Sequence, residues 1–441
     1  MRSSAAIFIP ISFLVTVAAC SSTTIINHVA ADSDAGTDDS DAGGVVVVDA
    51  GSKDSGAKKD AGVITAKNPQ PTPPVAYNGG SILLNPSLVS VTFDNDTLRT
   101  QIESFDDSIG TTAYWDSVRA GFCDKNNKCI GPATGAAVKG HVHLSAATLL
   151  SSYTDSAGGG ASTIQSMIAT NIQNGMFPTP TADTLYMIYF PSSATISLDG
   201  TPSCMGFGAY HNSMKYNGTE FAYAIMPRCT SDFTYLTTAA SHELAEAATD
   251  PYIGTDPNNP YTGYGSLQDA WDVPAGGEVG DRCFDLFGQG TDLFVQGSYT
   301  VQRIFNNAAA SAGHDPCVPA PSPATTPYFN MAPFAKDGDI INLAVGASTK
   351  ITVQATSDAP ISGELAFDVQ EITQQSGKGS NVLTLSGGGG VSIGQSATVN
   401  VTMKSTPSQG FALFVVRSSR IDTKGNPTGA IHYWPFLVQT P

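Results

Sequence analysis

Apolar positions fall into three regimes along the chain. At the start, one run from Ala5 to Ala19 is interrupted only by Pro10, Ser12 and Thr16. From about residue 76 to 320 the apolar residues come in short blocks. VSVTF (89–93), VKGHVHL (138–144), LYMIYF (185–190) and AYAIMP (222–227) have the length and content of strands. STIQSMIATNIQNG (162–175) instead puts Ile164, Met167, Ile168 and Ile172 on one helical face, and Thr234 to Ala248 predicts a second helix. The central region therefore reads as α+β. Beyond a stiff proline run, CVPAPSPATTP (317–327), alternation of period two takes over. IINLAV, KITVQAT, GELAFDVQEI, ATVNVTM, FALFVVRSS and IHYWPFLVQ read as strands, separated by breaks such as Gly387 to Gly390. That pattern predicts a C-terminal antiparallel β-sandwich of the Ig-like kind.

The first apolar run follows Arg2 and is too short for a comfortable membrane span, so residues 1–19 read as a secretory signal peptide. Its end, VAAC (17–20), resembles a bacterial lipobox, in which Cys20 becomes the lipidated first residue. Ser21 follows instead of Asp, which by resemblance to Gram-negative sorting favours the outer membrane; the alternative location is extracellular. Residues 20–75 are rich in Asp, Gly, Ser and Ala and hold no aromatic residue. Such a stretch buries too little apolar surface to offset its ordering entropy, and reads as a solvated tether. Part of the net charge of −17 lies here, and the acidic balance argues against nucleic acid and anionic headgroups as partners. The rest of the chain divides into a central domain, 76–320, and the sandwich, 321–441.

Six cysteines remain after Cys20, an even number that suggests three disulfides in an exported chain. Sequential pairing is preferred: Cys123 with Cys129 around the polar turn DKNNK, Cys204 with Cys229, and Cys283 with Cys317. No CxxC spacing of the metal-binding type occurs. His141 and His143 share one face of a strand, a ligand-like geometry that is also ordinary for a half-exposed strand pair.

The informative segment is LTTAASHELAEAATDP (236–251). At about 100° per residue, Leu236, Ala240, Leu244 and Ala247 form an apolar stripe for the core. His242 and Glu246 lie one turn apart beside it, Glu243 lies between them and the core, and Pro251 ends the helix. This is the zincin arrangement with one change. In HExxH enzymes two histidines one turn apart hold zinc and the glutamate after the first activates water. Here Glu246 replaces the second histidine, giving HExxE. Downstream, GEVGDRC (277–283) offers Glu278 as a third ligand and Asp281 as its supporting acid. One divalent metal is expected, with zinc first; the oxygen-rich set loosens that preference towards manganese or calcium. Asp250, Asp256 and Asp269 form a separate calcium candidate in the long loop after the helix.

The central region also resembles the plant phosphate-induced, or EXORDIUM-like, extracellular family and its bacterial relatives. The matching pieces are YWD (114–116), the strand 185–190 and CMGFGAYH (204–211), and above all the pair SHELAEAATDP and GEVGDRC. These are similar to that family's AHELAE…TNP and VEIADLC. The resemblance runs from about Gly80 to Asp315 and leaves out the tether and the sandwich. Asp250 stands where the plant pattern has Asn. It implies the acidic–histidine site and an extracellular role in growth or stress responses, and supports the site more than the reaction.

Together these readings give a cell-envelope lipoprotein, held to the membrane by its lipid, with a zincin-like α+β domain that hydrolyses a peptide or acts on a cell-surface polymer. Glu243 is the expected general base, His211 a transition-state donor, and His242, Glu246 and Glu278 the ligands. The alternative is a non-catalytic binding or signalling module that keeps the site. Cys20→Ala should leave the chain without lipid, and either unprocessed or soluble. Incorporation of labelled fatty acid into that variant would refute the anchor.

Overall fold

The computed structural model describes residues 69–134, 140–157, 160–252, 254, 260–266, 270–272, 277–333, 339–373, 381–408 and 410–441. Cys20, the signal peptide and nearly all of the tether lie outside the described residues, as do Asp256 and Asp269 of the calcium candidate.

The central region runs β1 (Ser87–Phe93), α1 (Arg99–Ile109), α2 (Ala113–Val118), β2 (Val142–Leu144), β3 (Ser152–Asp155) and α3 (Thr163–Gln173). It continues with β4 (Thr184–Phe190), β5 (Thr195–Leu198), β6 (Thr201–Pro202), β7 (Tyr210–Tyr216), β8 (Thr219–Pro227) and α4 (Phe233–Thr249). The hairpin β9 (Leu293–Gln296) and β10 (Tyr299–Gln302) follows, then β11 (Ile304–Phe305), α5 (Asn307–Ser311) and β12 (Cys317–Val318). The main sheet has the order β2-β1-β4-β8-β7, parallel except for β7 on the edge. Every residue of β1 and β4 is buried, which is why both read as continuous apolar runs: parallel strands covered on two faces need apolar side chains on both.

Successive residues serve opposite faces. Leu88, Leu185, Met187 and Ala224 join a core with α1, α2 and α4. Val89, Tyr186, Ile188 and Ile225 join a second core with Ile164, Ile168 and Ile172 of α3. Burial of each such aliphatic side chain contributes about 1.5–3 kcal/mol. Asp232 caps α4 by accepting from the Thr234 N–H, and the stripe Leu236, Ala240, Leu244 and Ala247 is buried against the sheet.

The C-terminal strands are β13 (Phe329–Pro333), β14 (Ile340–Asn342), β15 (Ser348–Ser357), β16 (Glu364–Glu371), β17 (Leu383–Ser386), β18 (Gly388–Ser392), β19 (Ser396–Met403), β20 (Phe411–Ile421) and β21 (Pro427–Gln439). They form two sheets, β13-β15-β19-β17 and β14-β21-β20-β16-β18, around one shared core. Pairing is antiparallel except between β14 and β21. Trp271, far upstream, is part of that core and packs on Tyr433 and Trp434.

The zincin-like α+β class expected for the central domain does not hold. Among the described residues β structure dominates, at 38% strand against 16% helix. The difference has a local cause: β3, β5, β6, β7 and β9 to β12 pair in segments where no apolar run announces a strand. The three disulfides join Cys123 to Cys129, Cys204 to Cys229 and Cys283 to Cys317, which fits a secreted or extracellular protein. Among the described residues no helix is long and apolar enough to cross a membrane.

One buried acid lies beneath α1. Asp106 is fully buried and accepts from the hydroxyls of Ser90 and Tyr189, the latter at 2.7 Å. Burial pushes its carboxyl up to about 7, against the partial relief given by the two hydroxyls. A carboxyl raised in the folded state favours the folded chain while protonated, and loses that advantage as pH climbs from its unfolded value of 3.8 to about 7. The shift of about three units corresponds to about 4 kcal/mol. Asp106→Asn should therefore gain stability relative to the native chain by an amount of that order between pH 4 and pH 8. Urea midpoints measured on both proteins across that range test it, and a difference independent of pH would contradict it.

Candidate metal centre

Helix α4 carries its polar residues beside the apolar stripe, with Glu243 and Glu246 buried and His242 half-buried. His242 Nε2 lies 3.0 Å from Glu246 Oε2, one turn on. The other oxygen of that carboxylate, Oε1, accepts from the N–H groups of Gly280 and Asp281 at 3.2 and 3.3 Å. The segment GEVGDRC is thereby laid across the helix. Position 280 must be glycine, since a Cβ there would stand 2.6 Å from His242 Nδ1 and 2.7 Å from Glu246 Oε1. Asp281 then places Oδ1 3.8 Å from His242 Nε2.

The antiparallel edge strand β7 supplies the second histidine. His211 sits opposite Ala224 of β8 and turns Nδ1 towards α4, 3.4 Å from Glu243 Oε2 and 3.7 Å from Glu246 Oε2. Its Nε2 lies 3.0 Å from the Asp250 carbonyl oxygen and 3.5 Å from Glu278 Oε1.

The outward contacts fix both tautomers. Gln302 donates its side-chain N–H to the Gly280 carbonyl at 2.7 Å, so its Oε1, 3.0 Å from His242 Nδ1, is an acceptor. His242 therefore donates from Nδ1. His211 likewise donates from Nε2 to the Asp250 carbonyl. The inward atoms, His242 Nε2 and His211 Nδ1, face carboxylate oxygens, with which they can share a proton or, when unprotonated, ligate a cation. Glu243 Oε2 and Glu278 Oε1 are buried and accept no hydrogen bond among the described residues.

Protons show the same demand. Burial alone would depress both imidazoles, but Glu243 outweighs it at His211, and Glu246, Glu243 and Asp281 outweigh it at His242, so both are raised. Burial and then the mutual repulsion of the acids raise Glu278 and Asp281 well above the usual carboxyl range. Burial also raises Glu243, whereas the pull of His242 overcomes burial and lowers Glu246. The cluster thus gathers positive charge wherever it can.

The structure brings together all six residues singled out in the sequence, with a different division of labour. Asp281 occupies the place beside His242 that the spacing assigned to Glu278, and Glu278 stands against His211. Gln302, on the unannounced hairpin strand β10, had no sequence signal; it is one polar residue in YTVQ. His141 and His143 bond to Glu103 and Asp107 of α1, at the opposite edge of the sheet from His211. Of the calcium candidate, Asp250 spends Oδ1 on the N–H groups of Thr262 and Gly263, a clamp on the backbone.

No family model matches the chain, and no curated protein matches it. Among solved structures it is similar to domains 4 and 5 of the S-layer protein SbsC, at 14% identity and a TM-score of 0.18, over 26% of this chain and 46% of that one. It is also similar to the ASH/PapD-like domain 7 of human CEP192, at 9% identity and a TM-score of 0.18, over 29% of this chain and 94% of that domain. The chain spans less than half the length of the first of these, and likenesses this faint say nothing about the site.

Proposed function

We propose that this is a cell-envelope lipoprotein, anchored through Cys20, whose central region binds a divalent metal and hydrolyses peptide bonds. The observation that carries the reading is the convergence of His242, Glu246 and Asp281, whose ligand atoms all lie within 4.8 Å of one another, with Glu246 buried and the other two half-buried. These three residues would hold the ion, zinc being the expected one. When bound it would polarise a substrate carbonyl and acidify water. Glu243, buried beside this group with an unpartnered oxygen, serves as general base. It takes one proton from the attacking water and passes it to the departing amine, while the water oxygen bonds to the carbonyl carbon as the C–N bond breaks. His211 turns Nδ1 into the same space, and its imidazolium form, which Glu243 favours against the cost of burial, would donate from there to the developing oxyanion.

One feature favours a non-catalytic binding module instead. The group pairs one imidazole with two carboxylates, which would cancel the ion's charge and weaken it as a Lewis acid. Two measurements separate the readings. Chelation should lower the thermal midpoint of the native chain more than that of His242→Ala, as linkage requires when an ion leaves the folded state. Glu243→Gln should keep the ion at His242 and slow cleavage of a diverse peptide library by about a hundredfold or more. Native protein that is metal-loaded and cleaves nothing would leave the binding module as the better account.

A further inference from the structure

The donors around α4 do not converge on one point. Two groups of three ligand atoms each lie within 4.8 Å of one another: His242, Glu246 and Asp281, and separately His211, Glu243 and Glu246. No group among the described residues unites the two histidines, and the residue common to both is Glu246. We propose that the centre takes two divalent cations, the second held by His211 and Glu243, with the Glu246 carboxylate bridging the pair. This rests on the metal-binding reading above, and by making Glu243 and His211 ligands it replaces the general-base and oxyanion roles given to them there.

The bridge is prepared by the backbone. Glu246 Oε1 is occupied by the Gly280 and Asp281 N–H groups, so only Oε2 is free to face the ions. That oxygen stands 3.0 Å from His242 Nε2 on one side and 3.7 Å from His211 Nδ1 on the other. Carboxylate-bridged ions in two-metal sites sit about 3.5–4 Å apart, a span one carboxylate oxygen can serve.

The second position has its own marks of a ligand site. Glu243 is 3% exposed, and its Oε2, aimed at His211 Nδ1, accepts no hydrogen bond. Glu278 Oε1, equally unpartnered, lies 3.5 Å from Nε2 on the other side of the same ring, outside this group of ligand atoms. His211 meets the group with a lone pair because its N–H is spent on the Asp250 carbonyl.

No basic side chain competes for the site. No lysine or arginine pairs with Glu243, Glu246, Glu278 or Asp281 among the described residues. Nearby Arg282 is spent on Asp272 and the Pro73 carbonyl. One nitrogen and several oxygens per ion suit manganese as well as zinc.

The test is the stoichiometry of the full chain, stripped with chelator and equilibrated with Mn²⁺. Elemental analysis should find two equivalents, and electron paramagnetic resonance should show an exchange-coupled pair. His211→Asn, kept only if its circular dichroism matches the native chain, should hold one equivalent with the six-line signal of an isolated ion. One uncoupled equivalent in the native chain would overturn the second ion and leave the first in place. No bound Mn²⁺ and no bound Zn²⁺ would overturn both. Two equivalents persisting in His211→Asn would put the second ion elsewhere, and also overturn the proposal.

Discussion

A buried carboxylate must find its partners inside the protein, and Glu246 finds them on two stretches of chain far apart in sequence. Its Oε1 takes the Gly280 and Asp281 N–H groups, and its Oε2 faces His242 and His211. Left unpartnered, such a group costs several kcal/mol; partnered, it fastens the acidic segment to the helix. The rest of the centre follows from that clasp. Asp281 is placed by its own amide, Gln302 reaches the Gly280 carbonyl, and that contact orients His242.

The segment is held from its other side by an equally buried charge. Arg282 pairs with Asp272, donates to the Pro73 carbonyl and lies over the Phe305 ring, while the next residue, Cys283, is bridged to Cys317. Asp272 follows Trp271, whose ring is inserted in the core of the C-terminal sandwich. A chain of packed and charged contacts therefore runs from that core through Trp271, Asp272 and Arg282 to Asp281 at the centre. The sandwich is a buttress for the site as well as a neighbour of it, and Phe287 under Arg417 and against Tyr433 widens the same contact.

Low dielectric gives the cluster its chemical character. In water four carboxylates and two imidazoles within a few ångströms would be screened; buried, their repulsion is expressed as raised carboxyls and raised imidazoles. The same burial that makes the cluster costly in isolation makes it a strong receptor for compact positive charge. Exposed acid–histidine contacts such as those of His141 and His143 with Glu103 and Asp107 lack that force, because solvent screens them.

The sequence by itself determined what depends on neighbours along the chain. The stripe of α4, its His242–Glu246 spacing and the buried strands β1, β4 and β8 were legible, because helix and strand periods are local and two-sided burial leaves uninterrupted apolar runs. The paired disulfide cysteines and the alternating strands of the sandwich were legible for similar reasons. Tertiary structure decided the balance of the fold, since β7 and the β9–β10 hairpin are polar enough to be strands only by virtue of their partners. It also decided which acid meets which histidine. Glu278 and Asp281 are three residues apart, so sequence alone makes them nearly interchangeable, and only the turn forced by Gly280 against Glu246 sends one to His211 and the other to His242. A contact between residues distant in sequence has no period to betray it; it exists only once the sheet, the helix and the loop have been packed.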